Sequence, residues 1–188
     1  MQETGQTYYR TLYEVVKVIS SSLEPSSVLN KIVEQVTKTL GVKGCTIRLL
    51  SKDDKFLLPG AFYGLSTGYI RKGAVEVEKS GLDKDVLAGK VVYIKDASHD
   101  PRFQYPQKAE EEGFTSVMVV PLLVEGSRVI GVLRIYSATV REFSGEELDF
   151  LSAVADLSAI AIENARMHQA LKLEYELQTA YKYQLFDD

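Results

Sequence analysis

The chain has 188 residues, 45% of them apolar, with a formal net charge of −4 and a pI of about 5.4. This length carries one ordinary core and an appendage, and the interspersed charges give no basic field for nucleic acid or anionic lipid. A single cysteine closes no internal disulfide, no charged-then-apolar leader precedes the first helix, and the longest apolar run, Val117 to Val124, is less than half a membrane span. The expectation is a soluble, cytoplasmic segment without membrane contact of its own, whatever a parent protein carries elsewhere.

Residues 8 to 22 place Leu12, Val15, Val16 and Ile19 at helical spacing, and 25 to 40 repeat the pattern with Val28, Leu29, Ile32, Val33, Val36 and Leu40. Two helices are therefore predicted, joined near SSLEPSS, with Pro25 in a first turn and Gly41 as the stop. From Lys43 the period becomes two. CTIRLLS puts Cys45, Ile47 and Leu49 on one face and Thr46, Arg48 and Leu50 on the other, as in a strand. FLLPGAFYGLS reads as a second strand, with a bulge or an edge position at Pro59 and Gly60.

The glycine-rich stretch from 66 to 114 is mixed in pattern. It predicts a short helix at LDKDVLAG, a strand at VVYI, a loop at DASHDPRFQYP and a helix at QKAEEEG. SVMVVPLLV and RVIGVLRIYS then form a predicted antiparallel hairpin across the EGSR break. Ser144 followed by Glu147 is a capping box, so a last helix begins there and, meeting no later proline or glycine, runs to about Gln184. Its length is on the order of 55–60 Å. The first half is apolar on most sides; the second carries Met167, Leu171 and Tyr175 on one stripe and Leu173, Leu177 and Tyr181 on another. Such a helix outruns a strand of about 17–20 Å, so a second copy of the chain is the expected partner for the terminal helices.

Three blocks resemble the GAF domain family of small-molecule sensory modules common in bacterial signalling proteins: GLDKDVLAGKVVYIKDASHDPRF (81–103), SVMVVPLLVEGSRVIGVLRIYS (116–137) and REFSGEELDFLSAVADLSAIAIENARM (141–167). The resemblance covers about residues 10 to 170, leaving 1–9 as an N-terminal extension and 171–188 as a C-terminal helical extension or linker. It implies an α+β fold in which an antiparallel sheet of five or six strands carries the terminal helices on one face. The 60–115 segment would close a ligand pocket on the other. In that arrangement Gly131, Leu133 and Ile135 face the helices, while Val132, Arg134 and Tyr136 face the pocket.

The residues give little support to an enzyme. Cys45, His99 and His168 are scattered singly rather than clustered for zinc. Cys45 on an apolar strand face reads as a small core residue, His168 as part of a solvated helix face, and GAFYGLSTG lacks the lysine of a phosphate loop. Within the family, the methionine sulfoxide reductase branch uses several cysteines, and bilin attachment uses a cysteine near the region that here reads DASHDPRFQYP. Haem-binding members place a histidine where this chain has Thr115. The cyclic-nucleotide branch carries Asn-Lys where this chain has Ser137-Ala138, and keeps an Asp-Glu pair where this chain has Glu147-Leu148. No cofactor is identified, and bilin, haem and zinc are disfavoured.

Arg48 and Arg134 fall on one predicted sheet face, where two guanidinium groups would converge on an anionic ligand or pair with local carboxylates such as Asp96 or Asp100. His99 borders the pocket that the resemblance implies. Tyr63, Phe103, Phe114 and Tyr136 would enclose it or pack as ordinary core. The candidate ligand contacts are thus Arg48, Tyr63, Asp96, His99, Phe103, Phe114, Thr115, Arg134 and Tyr136. The expected function is a non-catalytic sensory domain that binds an unknown small molecule and signals through its terminal helices to an output domain or partner protein. The alternative is a dimerisation or docking module whose pocket is filled by its own side chains.

Overall fold

The computed structural model describes residues 2–21, 24–71, 73–124 and 128–184. Ser22 and Leu23 of the predicted helix joint, the hairpin turn at 125–127 and the side chain of Tyr181 lie outside the described residues.

Helices α1 (Gln2–Ser21) and α2 (Pro25–Leu40) open the chain. In α2 the apolar period becomes the buried face, with Val28, Leu29, Ile32, Val33, Val36 and Leu40 all buried. Pro25 occupies the first turn, where its missing N–H would have had no partner. Gly41 stops the helix at φ 60°, its N–H donating to the Lys38 carbonyl. The first helix differs from expectation in two respects. It begins at Gln2, and Val16, counted in its apolar stripe, is exposed while Val15 is buried.

Six strands form one sheet: β1 (Gly44–Leu50), β2 (Phe56–Tyr63), β3 (Val75–Glu76), β4 (Val92–Ile94), β5 (Ser116–Val124) and β6 (Arg128–Ser137). Their order is β3-β2-β1-β6-β5-β4, with every neighbouring pair antiparallel. In β2, Ala61 stands opposite Ile47 and Pro59 opposite Arg48, so Gly60 is the extra residue of a bulge. β3 pairs only with Phe56 and Leu57, which keeps Pro59, without a donor to contribute, off that ladder.

Short elements bridge the strands: α3 (Thr67–Ile70), a 3-10 turn at Val77–Lys79, α4 (Gly81–Leu87) and α5 (Pro106–Glu112). α3 was not apparent in the residue pattern. It is set up by Ser66, whose hydroxyl accepts from the Tyr69 N–H and donates to Glu112 of α5, a partner 46 residues away.

The last helix, α6 (Gly145–Gln184), starts with the predicted reciprocal cap. The Glu147 N–H donates to Ser144 Oγ at 3.2 Å, and the Ser144 N–H donates to Glu147 Oε2 at 2.8 Å. Arg141 ties this start to the end of α2, donating to both the Leu40 carbonyl and the Glu147 carboxylate.

Strand alternation sorts the core into two layers. Cys45, Ile47, Met118, Val120, Leu122, Leu133 and Ile135 pack against Ile32, Val33 and Val36 of α2 and Leu151, Val154 and Ala155 of α6. On the opposite face Leu57, Val117, Val119, Val132 and Tyr136 pack against Tyr69, Leu82, Val86, Ile94, Phe103 and Phe114. Each fully buried Leu, Ile or Val contributes about 1.5–3 kcal/mol against the entropy of ordering the chain. Both layers are thus held by burial, and the second is the one that holds buried charge.

Candidate ligand-binding site

The second face of the sheet carries two arginines that alternation forces inward. β1 and β6 are neighbours, with Thr46 opposite Arg134 and Arg48 opposite Val132, so both guanidinium groups lie under the segment formed by α3 and α4. Each is nearly inaccessible to solvent, Arg48 at 1% and Arg134 at 2% exposure. Charged groups at such depth require partners.

Arg134 has one. Its Nη2 donates to Asp83 Oδ1 in the first turn of α4, where Ser80 Oγ accepts from the Asp83 N–H at 3.4 Å and fixes the turn. Burial opposes the charge of Arg134, but the attraction of Asp83 outweighs it and raises the pKa above the ordinary arginine value. Asp83 therefore replaces the partners that the sequence suggested. Asp96 bonds instead to the Ser98 N–H and to His99 Nδ1 at 3.1 Å, and Asp100 pairs with Arg102, all within the loop after β4.

Arg48 is different. Its Nη1 donates to the Leu57 carbonyl at 3.2 Å, while Nε and Nη2 find no hydrogen-bond partner among the described residues. Burial lowers its pKa, with the charge of Arg134 acting in the same direction.

Aromatic rings close the rest of the face. Phe114 meets Tyr136 edge to face at 4.8 Å between centroids, Tyr69 meets Tyr136 at 5.8 Å, and Phe103 meets Phe114 at 6.0 Å. Tyr136 Oη lies 3.4 Å from Thr46 Oγ1. The phenol of Tyr69 has its pKa raised by burial and by Tyr136. Of the candidate contacts, the structure thus gathers Arg48, Arg134, Phe103, Phe114 and Tyr136, and adds Asp83 and Tyr69. Asp83 had a legible signal. It stands one residue after Leu82 and three before Val86, on the helix face that those two apolar residues turn to the sheet.

Four candidates lie elsewhere. Tyr63 is 37% exposed on the α2 side, with the Lys38 ammonium 5.7 Å from its ring centroid. The reason is the bulge: strict alternation from Leu57 would put residue 63 on the second face, and the extra Gly60 turns it to the first. Asp96 and His99 form a loop pair whose side chains are 48% and 79% exposed. Thr115 serves the chain path, donating from Oγ1 to the Ala138 carbonyl and accepting from the Ala97 N–H. Cys45 is fully buried in the helix-side layer, its thiol pKa pushed far up by burial.

A separate groove of about 950 Å³, not foreseen from the sequence, opens at one end of the sheet. Leu50 at the end of β1, Lys52 just after it, Leu87 of α4, Arg128 at the start of β6, and Arg166 and Leu173 of α6 are among the residues lining it.

A six-stranded antiparallel sheet with terminal helices on one face and short helices over a buried polar cluster on the other defines the GAF class of α+β domain. The family's sequence model, a GAF domain, matches residues 22–163, and the chain belongs to the GAF family. The methyl sulfide methyltransferase-associated sensor of Methanosarcina acetivorans is 31% identical over 132 residues, which are 68% of this chain and 13% of that protein's length.

Among solved structures, the GAF domain of an Acinetobacter phosphoenolpyruvate-protein phosphotransferase is similar with a TM-score of 0.73 and 26% identity, over 85% of this chain and 94% of that one. The free methionine-R-sulfoxide reductase of Neisseria meningitidis shares the fold with a TM-score of 0.71 and 19% identity, over 86% and 91%. The chain is thus akin to sensor and signalling proteins and shares its fold with proteins that include an enzyme, the sulfoxide reductase. Among the described residues no helix is long and apolar enough to cross a membrane.

Proposed function

We propose that this chain is a non-catalytic sensory domain that takes a small molecule between the second face of the sheet and the 64–90 segment, and passes its state to the terminal helices. The single observation that carries the reading is the Arg48–Arg134–Asp83 cluster, three charged groups buried between the sheet and the segment that includes α4. Purely structural cores seldom bury charge, because each ion removed from water costs several kcal/mol. A route from site to helices exists in the strands themselves. Arg134 and its neighbours Leu133 and Ile135 are consecutive on β6, one side chain under α4 and the other two against the helix-side core. A ligand acts through such a route only by binding two packings unequally.

The output side of the proposal is a second copy of the chain. Tyr9, Tyr13 and Val16 of α1 and Ile160, Met167, Leu171, Leu173, Tyr175 and Leu177 of α6 are exposed apolar residues on the two terminal helices. Pairing these helices with their counterparts covers both stripes in one symmetric interface.

A thermal-shift screen of metabolites and nucleotides, followed by hydrogen exchange on any hit, tests the reading. A ligand that slows exchange in both 64–90 and α6 supports it; a hit that protects only one of them refutes the coupling. The packing of Phe103, Phe114, Tyr69 and Tyr136 over the same face favours a second reading, a docking module with a self-filled site. A screen without hits on a chain that still dimerises would select that alternative.

A further inference from the structure

We infer that the free edge of the Arg48 guanidinium is the seat of a small planar monoanion, a carboxylate or an oxyanion of nitrate type. The inference rests on the sensory reading and gives it a ligand class.

The two arginines are not equivalent, as a convergent pair would require. Arg134 is engaged by Asp83 and leaves only Nε, a single donor, without a partner among the described residues, and the unpaired Asp83 Oδ2 repels a second anion from that side. Arg48 spends Nη1 on the Leu57 carbonyl, which fixes the plane of the group. Nε and Nη2, the two nitrogens left without a partner, share one edge of the guanidinium. That edge presents two near-parallel N–H donors, the fork that accepts two oxygens of a planar anion side-on. A group 1% exposed cannot satisfy both donors from bulk water, and leaving buried donors of a charged group unmade is costly.

Charge and size narrow the class. Among the described residues the buried charges on this face are Arg48, Arg134 and Asp83, an excess of one positive unit. One negative charge restores neutrality, whereas a dianion such as phosphate overshoots it. The surrounding Leu57, Val132 and Tyr136 are all fully buried, so the guest has few atoms beyond its oxyanion plane. Entry requires the α3–α4 segment to move, which is the motion that the sensory reading needs.

The test uses the whole 188-residue chain. Sodium formate, acetate and nitrate are each titrated at constant ionic strength balanced with sodium sulfate, while the arginine Nε–H resonances are followed by NMR and the melting temperature by calorimetry. The expected result is a saturable shift of one Nε–H resonance, assigned to Arg48 by its loss in Arg48→Lys. A rise in melting temperature of about 5–11 °C is expected at a hundredfold excess over the dissociation constant. Arg48→Met should lose this rise, and if that variant fails to fold the resonance shift in the unaltered chain decides.

Absence of a saturable shift with all three anions, the outcome if only water meets the fork, overturns the assignment. So does a temperature rise that persists in Arg48→Met. The two readings fail separately. If the three anions do not bind but a metabolite protects 64–90 and α6, the monoanion falls and the sensor stands. If an anion binds Arg48 without altering exchange in α6, the seat stands and the sensor falls.

Discussion

Arg134 on β6 and Asp83 on α4, 51 residues apart in sequence, form an ion pair whose side chains are 3% and 0% exposed. The pair fastens the short-helix segment to the centre of the sheet. Removing one partner strands the other, so Asp83→Ala is expected to cost about 3–5 kcal/mol by urea denaturation. The double change Asp83→Leu with Arg134→Met should recover most of that loss, because no uncompensated ion remains. A double variant as unstable as the single one would show that the pair is not the cause.

Glu147 gives a pH-dependent prediction. Burial opposes its charge, but the Ser144 N–H and Arg141 outweigh this and hold its pKa below the ordinary 4.5. A carboxylate with a depressed folded pKa contributes fully above the unfolded value and loses that contribution as pH falls through the folded one. Glu147→Gln should therefore cost about 1–2 kcal/mol at pH 7, and the difference from the parent should vanish as pH drops well below 4.5. Paired melting curves from pH 7 to pH 3 provide the check.

Gly131 is crowded by backbone. A Cβ added there would stand 2.4 Å from the Arg48 carbonyl oxygen and 3.1 Å from Leu122 Cδ1. Gly131→Ala is expected to destabilise by about 2–3 kcal/mol, since β1 and β6 must separate to admit the methyl group. Gly5→Ala meets nothing within 4 Å and should leave stability unchanged or slightly raised.

The proposed pairing of the terminal helices predicts that Met167→Glu and Leu171→Glu raise the dimer dissociation constant at least about tenfold each, measured by sedimentation velocity. Both positions are exposed on α6, so the melting of the sheet should not follow. An unchanged sedimentation coefficient for the double variant would remove the second copy from the proposal.

Much of the fold was legible because burial and period coincide. The alternation through CTIRLLS placed Ile47 and Arg48 on opposite faces, and the capping box of Ser144 and Glu147 marked the start of α6, since local geometry alone decides both. Tyr63 was misplaced because a period-two count carries no information on whether Gly60 is an added residue until its partner strand is known. α3 was missed for a related reason, its Ser66 cap being completed by Glu112 from a distant helix. At the site the inward arginines followed from alternation, but their inequality did not. That depended on which carboxylate the α4 turn delivers, and Asp83 of the predicted LDKDVLAG helix was not among the carboxylates weighed as partners, which were Asp96 and Asp100 of the following loop.

α6 is anchored along its first half, where Leu151, Val154, Ala155 and Ala159 are buried, and residues 166–178 are exposed. The stretch from 166 to 184 amounts to about 28 Å of rigid rod at 1.5 Å per residue, so a tilt of about 5° in the anchored half sweeps its far end through roughly 2 Å. Adjustments too small to disturb the packing of the sheet are thereby magnified into displacements comparable to the interface helix shifts of switching proteins.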